Sequence, residues 1–349
     1  MPRFFKIYMW PIWLFGVFGQ GKSFKANPII GARLLNILGL HIIRLLVARG
    51  AAHLRWFFLS YKMPRALRRE YAENGFCIIP DFLSRDDVMA IRRELSNFDG
   101  ETRQMVQGNT ATQRILITAD ALTARPALAS VTKGRHLLGL LQYAGAKATM
   151  PLLYIQRIRN GYQEGKADPQ KTMHSDTFHP TMKAWLFLED VKPEQGPFTY
   201  VRTSNRLTFR RLKWEYRRSC NASHLRDGYS EKGSFRADAA DLTEMNLPAP
   251  EGITATAGTL VIANTNGFHG RGQARHGANR LEIWAFSRHN PFNPWPGFGF
   301  RFMAPVQHFF LQAYWRHMDK QAKKRGVKSS WHLVDAKDML GDIQPGSEK

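Results

Sequence analysis

Two histidines and a carboxylate are the residues of this chain whose spacing best suits chemistry. In TMHSDTFHPTMKAWLFLED, residues 172–190, His174 and Asp176 are one residue apart, so their side chains share one side of an extended chain. His269 follows the apolar run TLVIAN at a turn flanked by glycine. Two histidines and one carboxylate on one face of a metal ion leave three coordination positions free, as in non-haem Fe(II) oxygenases. The alternative is a turn hydrogen bond between His174 and Asp176, with His269 an ordinary loop histidine.

A cation for an organic cosubstrate is expected near this site. Arg280 lies eleven residues after His269, at the start of the next strand. A hairpin through GRGQARHGAN is expected to bring the two strands side by side, where Arg280 would hold the far carboxylate of 2-oxoglutarate in a bidentate fork. Arg271 and Arg275 compete for this role, but both are expected in the turn, where solvent weakens a carboxylate contact. Arg280 is therefore predicted to bind 2-oxoglutarate, whose 2-oxo acid end would chelate the iron.

Other polar residues lie near these candidates. His179 is expected to line the substrate pocket or to be structural, and His276 is expected to be exposed in the middle of the turn. Tyr154 and Gln156 alternate on the strand before the site and are predicted to face 2-oxoglutarate. Ordinary polar strand residues would give the same pattern.

The elements that position these residues change character along the chain. Pro64 opens a helix that Gly75 ends, FCIIP reads as a strand, and Ser84 caps the helix RDDVMAIRRELSNF. Residues 120–145 are predicted to be mostly helical. After Pro151 the chain is predicted to be β, interrupted by one helix, LTFRRLKWEYRRSC; the strands are LLYIQRI, MKAWLFLEDV, FTYV, GITATA, TLVIAN and RLEIWAFSR. Beyond about residue 300 the chain becomes helical and basic and then ends in a polar tail. This order predicts an antiparallel sandwich or barrel with flanking helices.

The charge of +22 is concentrated at the start of the chain. Residues 1–69 hold twelve Lys and Arg and no acid, and Glu70 is the first carboxylate. The apolar run near Pro11 is shorter than the roughly 18–20 residues that span a bilayer. In PIIGARLLNILGLHIIRLLVARG, Arg33, Asn36 and Arg44 fall close together on a helical wheel. We expect this arm to lie on a membrane with its cations at the headgroups. The alternatives are a helical arm packed on the domain or a spanning helix.

The longer motifs carry a resemblance to a known family. YAENGFCIIPDFLSRDDVMAIRREL, the segment around His174, GTLVIANTNGFHGRGQ and Arg280 at its offset resemble the phytanoyl-CoA dioxygenase family over roughly residues 70–290. The resemblance implies an α+β chain with a mainly β core, a double-stranded β-helix (jelly roll) flanked by helices. It also implies His174, Asp176 and His269 as ligands of Fe(II), Arg280 as a ligand of 2-oxoglutarate, and O2 as the oxidant. One departure is VRTSNR at residues 201–206, where the family usually has PGSH.

Together these observations predict a hydroxylase that depends on Fe(II) and 2-oxoglutarate. Residues 1–63 are predicted to form a basic, apolar arm that associates with a membrane, 64–300 the oxygenase domain, and 301–349 a basic helical extension. An anionic membrane surface is the expected partner, and a lipid, acyl conjugate or lipid-linked molecule is the expected substrate. The expected location is the cytoplasm, peripheral on the inner face of a membrane. Two cysteines far apart favour a reducing compartment. The alternatives are an oxygenase acting on nucleic acid, disfavoured because the basic residues are interleaved with aliphatic runs, and a non-catalytic membrane-docking protein.

Overall fold

The computed structural model describes residues 7–300 and 302–341 of the chain. The first six residues of the predicted arm and the predicted polar tail from residue 342 lie outside this range. The described helices are α1 Trp10–Val17, α2 Arg33–Ile37, α3 Leu40–Phe58, α4 Arg65–Asn74, α5 Arg85–Ser96, α6 Ala119–Leu122, α7 Pro126–Thr132, α8 Arg135–Ala144, α9 Phe209–Asn221, α10 Ala239–Glu244, α11 Met303–Lys324 and α12 Ala336–Leu340. None of the described helices has the length and hydropathy needed to cross a membrane.

The strands form two antiparallel sheets. They are β1 Phe76–Ile79, β2 Thr102–Gln107, β3 Thr110–Leu116, β4 Leu152–Asn160, β5 Met182–Phe187, β6 Phe198–Tyr200, β7 Glu251–Ile253, β8 Leu260–Asn264, β9 His269–Arg271, β10 Asn279–Ser287 and β11 His332–Val334. The larger sheet has the order β1-β8-β5-β10-β4-β3-β2-β11, and the smaller one has the order β7-β6-β9. Helices flank this sandwich, so the predicted jelly roll with flanking helices is confirmed.

Local signals set the helix boundaries as the sequence predicts. The Ser84 hydroxyl accepts a hydrogen bond from the amide of Asp87 at the start of α5. Gly75 ends α4 with a φ of 87°, a left-handed conformation that favours glycine. The chain then enters β1 directly, which pairs with β8 from Phe76 opposite Ala263.

The predicted hairpin between the strand of His269 and the strand of Arg280 is wrong. β9 pairs with β6 in the smaller sheet, whereas β10 pairs with β4 and β5 in the larger one. A jelly roll places successive strands in opposite sheets, so the turn after β9 crosses the sandwich. His269 and Arg280 therefore lie on opposite walls of the space between the sheets.

The pair β2 and β3 is absent from the prediction. The two strands form a hairpin, with Thr102 opposite Ile115 and Gln107 opposite Thr110. Their sequence is polar and lacks the usual alternation of apolar and polar residues. Thr112 and Arg114 share one face of β3 and line a cavity, which explains why the strand does not read as the wall of an apolar core.

The N-terminal arm packs on the oxygenase domain, with His41 3.0 Å from the carboxylate of Glu215, and much of its polar side is buried. Arg44 is buried, and its guanidinium donates to the carbonyls of Val17 and Gly21 at 2.9 and 2.6 Å. Asn36 is buried and donates to the carbonyl of Ile30 at 2.8 Å. The expectation that the cations of the arm face lipid headgroups is therefore wrong for Arg44, whereas Arg33 is exposed. A helical wheel identifies residues that share a face, but it does not say what that face contacts. The division into three segments stays a prediction.

Candidate metal centre

Backbone pairing between distant segments brings the three candidate ligands together. The amide of His174 donates to the carbonyl of His269, and the amide of His269 donates to the carbonyl of His174, both at 2.9 Å. The amide of Asp176 donates to the carbonyl of Thr265, also at 2.9 Å. His174 and Asp176 thus lie beside β9, and their side chains point to the same side as that of His269.

The ligand atoms of the three residues lie within 4.8 Å of one another. Oδ1 of Asp176 is 3.8 Å from Nε2 of His174 and 3.7 Å from Nε2 of His269. Each Nδ1 faces a backbone carbonyl, that of Thr172 at 2.8 Å for His174 and that of Gly267 at 3.0 Å for His269. Carbonyls only accept hydrogen bonds, so each Nδ1 carries the proton and each Nε2 presents its lone pair to the centre of the cluster.

The electrostatics of the cluster favour the ligand forms of all three side chains. Burial lowers the pKa of His269 to about 4, and burial together with the neighbouring His269 lowers the pKa of His174 well below 6.5. Burial opposes ionisation of Asp176, but Lys183 and the two histidines outweigh it and hold the pKa of this carboxyl well below its ordinary value. At neutral pH the cluster therefore has two neutral imidazoles and one carboxylate.

Two lysines hold Asp176 from the side away from the histidines. Nζ of Lys183, on β5, is 2.7 Å from Oδ2 of Asp176. Lys22 comes from the N-terminal arm, and its Nζ donates to the backbone carbonyl of Asp176 at 2.5 Å. Lys183 thus occupies one carboxylate oxygen and leaves Oδ1 for the centre of the cluster, while Lys22 ties the arm to the same residue.

A cavity of about 480 Å³ opens beside the cluster. His174 and His269 line it, together with the predicted cosubstrate residues Arg280, Tyr154 and Gln156. Aromatic and aliphatic side chains form much of its remaining wall, and Gln107, Thr112, Gln170 and Lys183 add polar groups; the apolar residues are Met105, Leu152, Ile158, Trp185, Phe198, Trp284, Phe286, Leu311 and Trp331. The structure therefore brings all the predicted site residues to one space, apart from Asp176, which lies at its edge beside Lys183. Their roles as ligands stay predictions.

Two arginines that the sequence analysis did not assign to the site also line the cavity. Arg271 lies on β9 with its side chain 12% exposed, and it pairs with the buried Asp168 at 2.6 Å; the expectation that it lies in a solvated turn is wrong. Arg114, on β3, has its guanidinium 3.7 Å from the ring centre of Trp284, and its Nε donates to Gln156 at 2.6 Å. The i, i+2 pattern of Thr112 and Arg114 is the signal that would have revealed this face.

Arg280 is fixed by partners inside the protein. Its Nε is 3.0 Å from Oε2 of the buried Glu282, and its Nη1 donates to the carbonyl of Gly196. Gln156 donates to the other oxygen of Glu282 at 2.5 Å. Arg114, Arg271 and Arg280 face only Glu282 and Asp168 as acidic partners near the cavity, so among the described residues this end carries a surplus of positive charge.

Three further candidates, two histidines and one arginine, lie away from the cluster. His179 is buried, and its Nδ1 faces the carbonyl of Pro180 at 3.1 Å, outside the cluster. His276 and Arg275 are exposed in the turn between β9 and β10, as expected. The turn that replaces the usual PGSH supports β9, because the hydroxyl of Ser204 accepts a hydrogen bond from the amide of Phe268 at 2.8 Å.

The donor set fits Fe(II) and 2-oxoglutarate. Nε2 of His269 is buried with no hydrogen-bond partner among the described residues, as a metal ligand would be before it binds metal. Two imidazoles and one carboxylate oxygen match the three-ligand iron site and leave positions for a chelating acid and oxygen. The positive surplus around Arg280 suits a dianion.

The sequence model of the phytanoyl-CoA dioxygenase family matches residues 71–280, which contain all three ligand candidates and Arg280. The chain belongs to the phytanoyl-CoA dioxygenase family. It is therefore a non-haem oxygenase that depends on iron and 2-oxoglutarate as cofactor and cosubstrate. By sequence, no curated protein matches the chain.

Several solved structures are similar to this phytanoyl-CoA dioxygenase family member. HygX from Streptomyces hygroscopicus with nickel and 2-oxoglutarate bound is 18% identical over 64% of this chain and 86% of that chain, with a TM-score of 0.39. The epimerase SnoN in complex with Fe3+, alpha ketoglutarate and nogalamycin RO is 17% identical over 64% and 84%, with a TM-score of 0.40. EctD from S. alaskensis with bound Fe is 12% identical over 64% and 76%, with a TM-score of 0.38.

Proposed function

We propose that this oxygenase hydroxylates an unactivated C–H bond of a lipid, acyl conjugate or lipid-linked molecule. The lining of the cavity supports this proposal, because aromatic and aliphatic side chains lie across the cavity from the three ligand candidates. Trp185 lies against Phe198 with ring centres 4.1 Å apart, next to His269. A chain of methylene groups would bury apolar surface against these rings, at about 0.8 kcal/mol per buried CH2.

The residues around the cavity have separable tasks. Nε2 of His174 and of His269 and Oδ1 of Asp176 would hold the iron, and Lys183 would keep Asp176 monodentate by occupying its second oxygen. Arg280 would hold the far carboxylate of 2-oxoglutarate. When bound, iron and 2-oxoglutarate supply the activation of O2 that oxidises the substrate. The aromatic wall would exclude water and position the C–H bond that reacts.

Anaerobic titration with Fe(II) and 2-oxoglutarate tests the cofactor part of this proposal. We expect the wild-type protein to develop the weak visible charge-transfer band of the chelate and the His174→Ala variant to lose it. His179→Ala is the matched control, because His179 is equally buried but lies outside the cluster. An iron-loaded, folded wild-type protein without the band would contradict the assignment and favour a non-catalytic protein.

Succinate formation from 2-oxoglutarate tests the class of substrate. We expect phospholipids and long-chain acyl conjugates to stimulate turnover above the uncoupled rate, and we expect single-stranded DNA and RNA to leave it unchanged. Stimulation by oligonucleotides that falls steeply with salt, without stimulation by lipids, would instead support a nucleic-acid oxygenase.

A further inference from the structure

Two parts of this chain expose many large apolar side chains to solvent. Exposed aromatic and aliphatic side chains concentrate in the N-terminal arm, residues 7–63, and in residues 295–318. We call this the apolar face; its exposed members include Phe15, Leu46, Phe57, Phe298, Phe309 and Phe310. Contiguous exposed patches larger than about 300–600 Å² are rare on monomeric soluble proteins and mark interaction sites.

The arm exposes apolar side chains because its polar side chains are satisfied inside the protein. Along α3 the residues His41, Arg44 and Arg55 are buried, whereas Leu46 and Phe57 of the same helix are exposed. His41 lies 3.0 Å from the carboxylate of Glu215, and Arg55 hydrogen-bonds the carbonyl of Asn293. An amphipathic helix on a water-soluble domain has the opposite orientation. The inner side of α3 thus carries three basic residues beside Leu45, Ala48, Ala51 and Ala52, while most of its exposed large side chains are apolar.

Aromatic contacts join the arm to the C-terminal part of the face. The ring centres of Phe58 and Trp295 are 5.8 Å apart, and those of Trp295 and Phe298 are 5.9 Å apart. The series continues from Phe298 to Phe300 at 5.2 Å and from Phe300 to Phe302 at 5.3 Å. Phe302 precedes α11, so the two regions form one continuous surface.

Helix α11 connects the apolar face to the catalytic cavity. Leu311 lines the cavity, and Trp315 lies 6.4 Å from Tyr154, ring centre to ring centre. Phe309, Phe310 and Tyr314, on the other side of the same helix, are exposed. No residue of α11 whose side chain is described is buried, as expected for a helix whose outer side has a partner that the chain itself does not supply.

Basic side chains border this face. Arg316, Lys320, Lys323 and Lys324 are exposed along the C-terminal half of α11, beyond the aromatic side chains. In the arm, Lys25 and Arg33 are exposed, and residues 1–69 contain no acid. Aromatic rings bordered by cations are the pattern of proteins that insert into the headgroup region of anionic membranes.

We propose that the apolar face inserts into the surface of an anionic lipid bilayer and that α11 is the wall shared by the bilayer and the catalytic cavity. A lipid substrate would then pass from the bilayer along α11 to the iron. This inference rests on the proposed lipid-directed function, and it extends the membrane contact from the arm to residues 295–324. A second copy of the chain would also cover the face, but it would place two strongly basic surfaces together.

Vesicle flotation tests the membrane contact. We expect the full-length protein to float with phosphatidylethanolamine–phosphatidylglycerol vesicles and to partition less onto phosphatidylcholine vesicles or at high salt. The double variant Phe309→Ser/Phe310→Ser is expected to lose at least about tenfold in partitioning, since two large side chains no longer enter the bilayer. Tyr162→Ser is the matched control, because Tyr162 is an exposed aromatic residue in the loop after β4.

An environment-sensitive fluorophore identifies which residues enter the bilayer. Attached to Phe310→Cys in a Cys220→Ser background, it is expected to shift to the blue when anionic vesicles are added; attached to Tyr162→Cys, it is expected not to shift. A wild-type protein that stays unbound, or a probe at residue 310 that does not respond, would overturn the proposal. So would a dimer in solution that Phe309→Ser/Phe310→Ser dissociates.

The chelate band separates this inference from the proposed function. We expect the Phe309→Ser/Phe310→Ser variant to keep the wild-type band with Fe(II) and 2-oxoglutarate, because neither residue lines the cavity. Vesicle binding without the band would contradict the proposed function only. The band without vesicle binding would contradict the membrane contact only.

Discussion

The catalytic cavity and the N-terminal arm are both basic and aromatic, but their polar groups face opposite ways. In the cavity Arg114 and Arg280 lie at the wall of a space that a ligand can enter. In the arm Asn36, Arg44 and Arg55 point away from the outer surface and bind carbonyls of the protein. The cations of the two regions therefore differ in what they contact. Those of the cavity border a space open to a ligand, and those of the arm fix a segment whose outer side is apolar.

The arm provides the strongest test of this difference, because two phenylalanines in it have opposite environments. Phe24 is buried against Phe235 with ring centres 5.4 Å apart, whereas Phe15 is 77% exposed. We expect Phe24→Ala to lower the free energy of unfolding by about 3–5 kcal/mol and Phe15→Ala to change it by less than about 0.5 kcal/mol. Urea-induced unfolding measures both. Equal losses would mean that the arm does not pack on the domain as described.

In the cavity the corresponding test asks which arginine binds 2-oxoglutarate. Arg280→Ala is expected to weaken 2-oxoglutarate binding about 100-fold, because the bidentate charged contact is lost, and Arg280→Lys about tenfold, because the charge remains without the fork. Titration of the chelate band gives the affinities.

Two other arginines serve as controls for Arg280. Arg275→Ala should leave the affinity for 2-oxoglutarate unchanged, since Arg275 is exposed in the turn. Arg271→Ala should lower stability, because it leaves the buried Asp168 without its 2.6 Å partner. A larger loss of affinity in Arg271→Ala than in Arg280→Ala would identify Arg271 as the residue that binds 2-oxoglutarate.

The same contrast explains what the sequence could and could not predict. His174 and Asp176 are close in sequence, and the strands β4, β5, β8 and β10 are apolar runs, so local patterns predict them. The orientation of α3 was wrong, because amphipathicity does not reveal that a polar side can be the buried one. The hairpin from His269 to Arg280 was wrong, because the pairing of strands in a jelly roll is decided by contacts far apart in sequence. Strand β3 was missed, because its inward face carries Thr112 and Arg114 at the polar part of the cavity.

A buried carboxylate joins the arm to the domain and makes their contact sensitive to acid. Glu215 accepts from Arg211 at 2.8 Å and faces Nε2 of His41 at 3.0 Å. Burial would raise the pKa of Glu215, but Arg211 and His41 outweigh it and lower this pKa below 4.5. A carboxyl with a lowered folded pKa stabilises the fold above its unfolded pKa, and this stabilisation is lost as the pH falls through the folded value.

Glu215→Gln is therefore expected to lower the free energy of unfolding at neutral pH by about 2 kcal/mol and to flatten the loss of stability below pH 4.5. Glu244→Gln is the matched control, because Glu244 pairs with Arg217 on the surface with 43% of its side chain exposed; it should change stability by less than about 0.5 kcal/mol. Thermal unfolding across this pH range measures both. A steep acid limb that survives Glu215→Gln would assign the acid sensitivity to another group.

The smallest effect that we predict is on iron affinity, and it comes from a contact between the arm and the candidate metal centre. Lys22 donates from the arm to the backbone carbonyl of Asp176 at 2.5 Å, so it supports the segment that carries two of the three ligand candidates. Replacing a group that holds a ligand residue costs about 10–100-fold in metal affinity. We place Lys22→Met at the lower end, about tenfold, because Lys183 still holds the carboxylate itself.

Fe(II) titration of Lys22→Met tests whether the arm contributes to the iron site. Lys192→Met is the control, because Lys192 is exposed in the loop after β5, and it should bind iron as the wild type does. Unfolding of Lys22→Met in urea separates support of the metal ligand from packing of the arm. Weaker iron binding at wild-type stability would mean that Lys22 of the arm positions Asp176 for the metal. Unchanged iron binding at lower stability would mean that Lys22 only anchors the arm, and the two regions would then be independent.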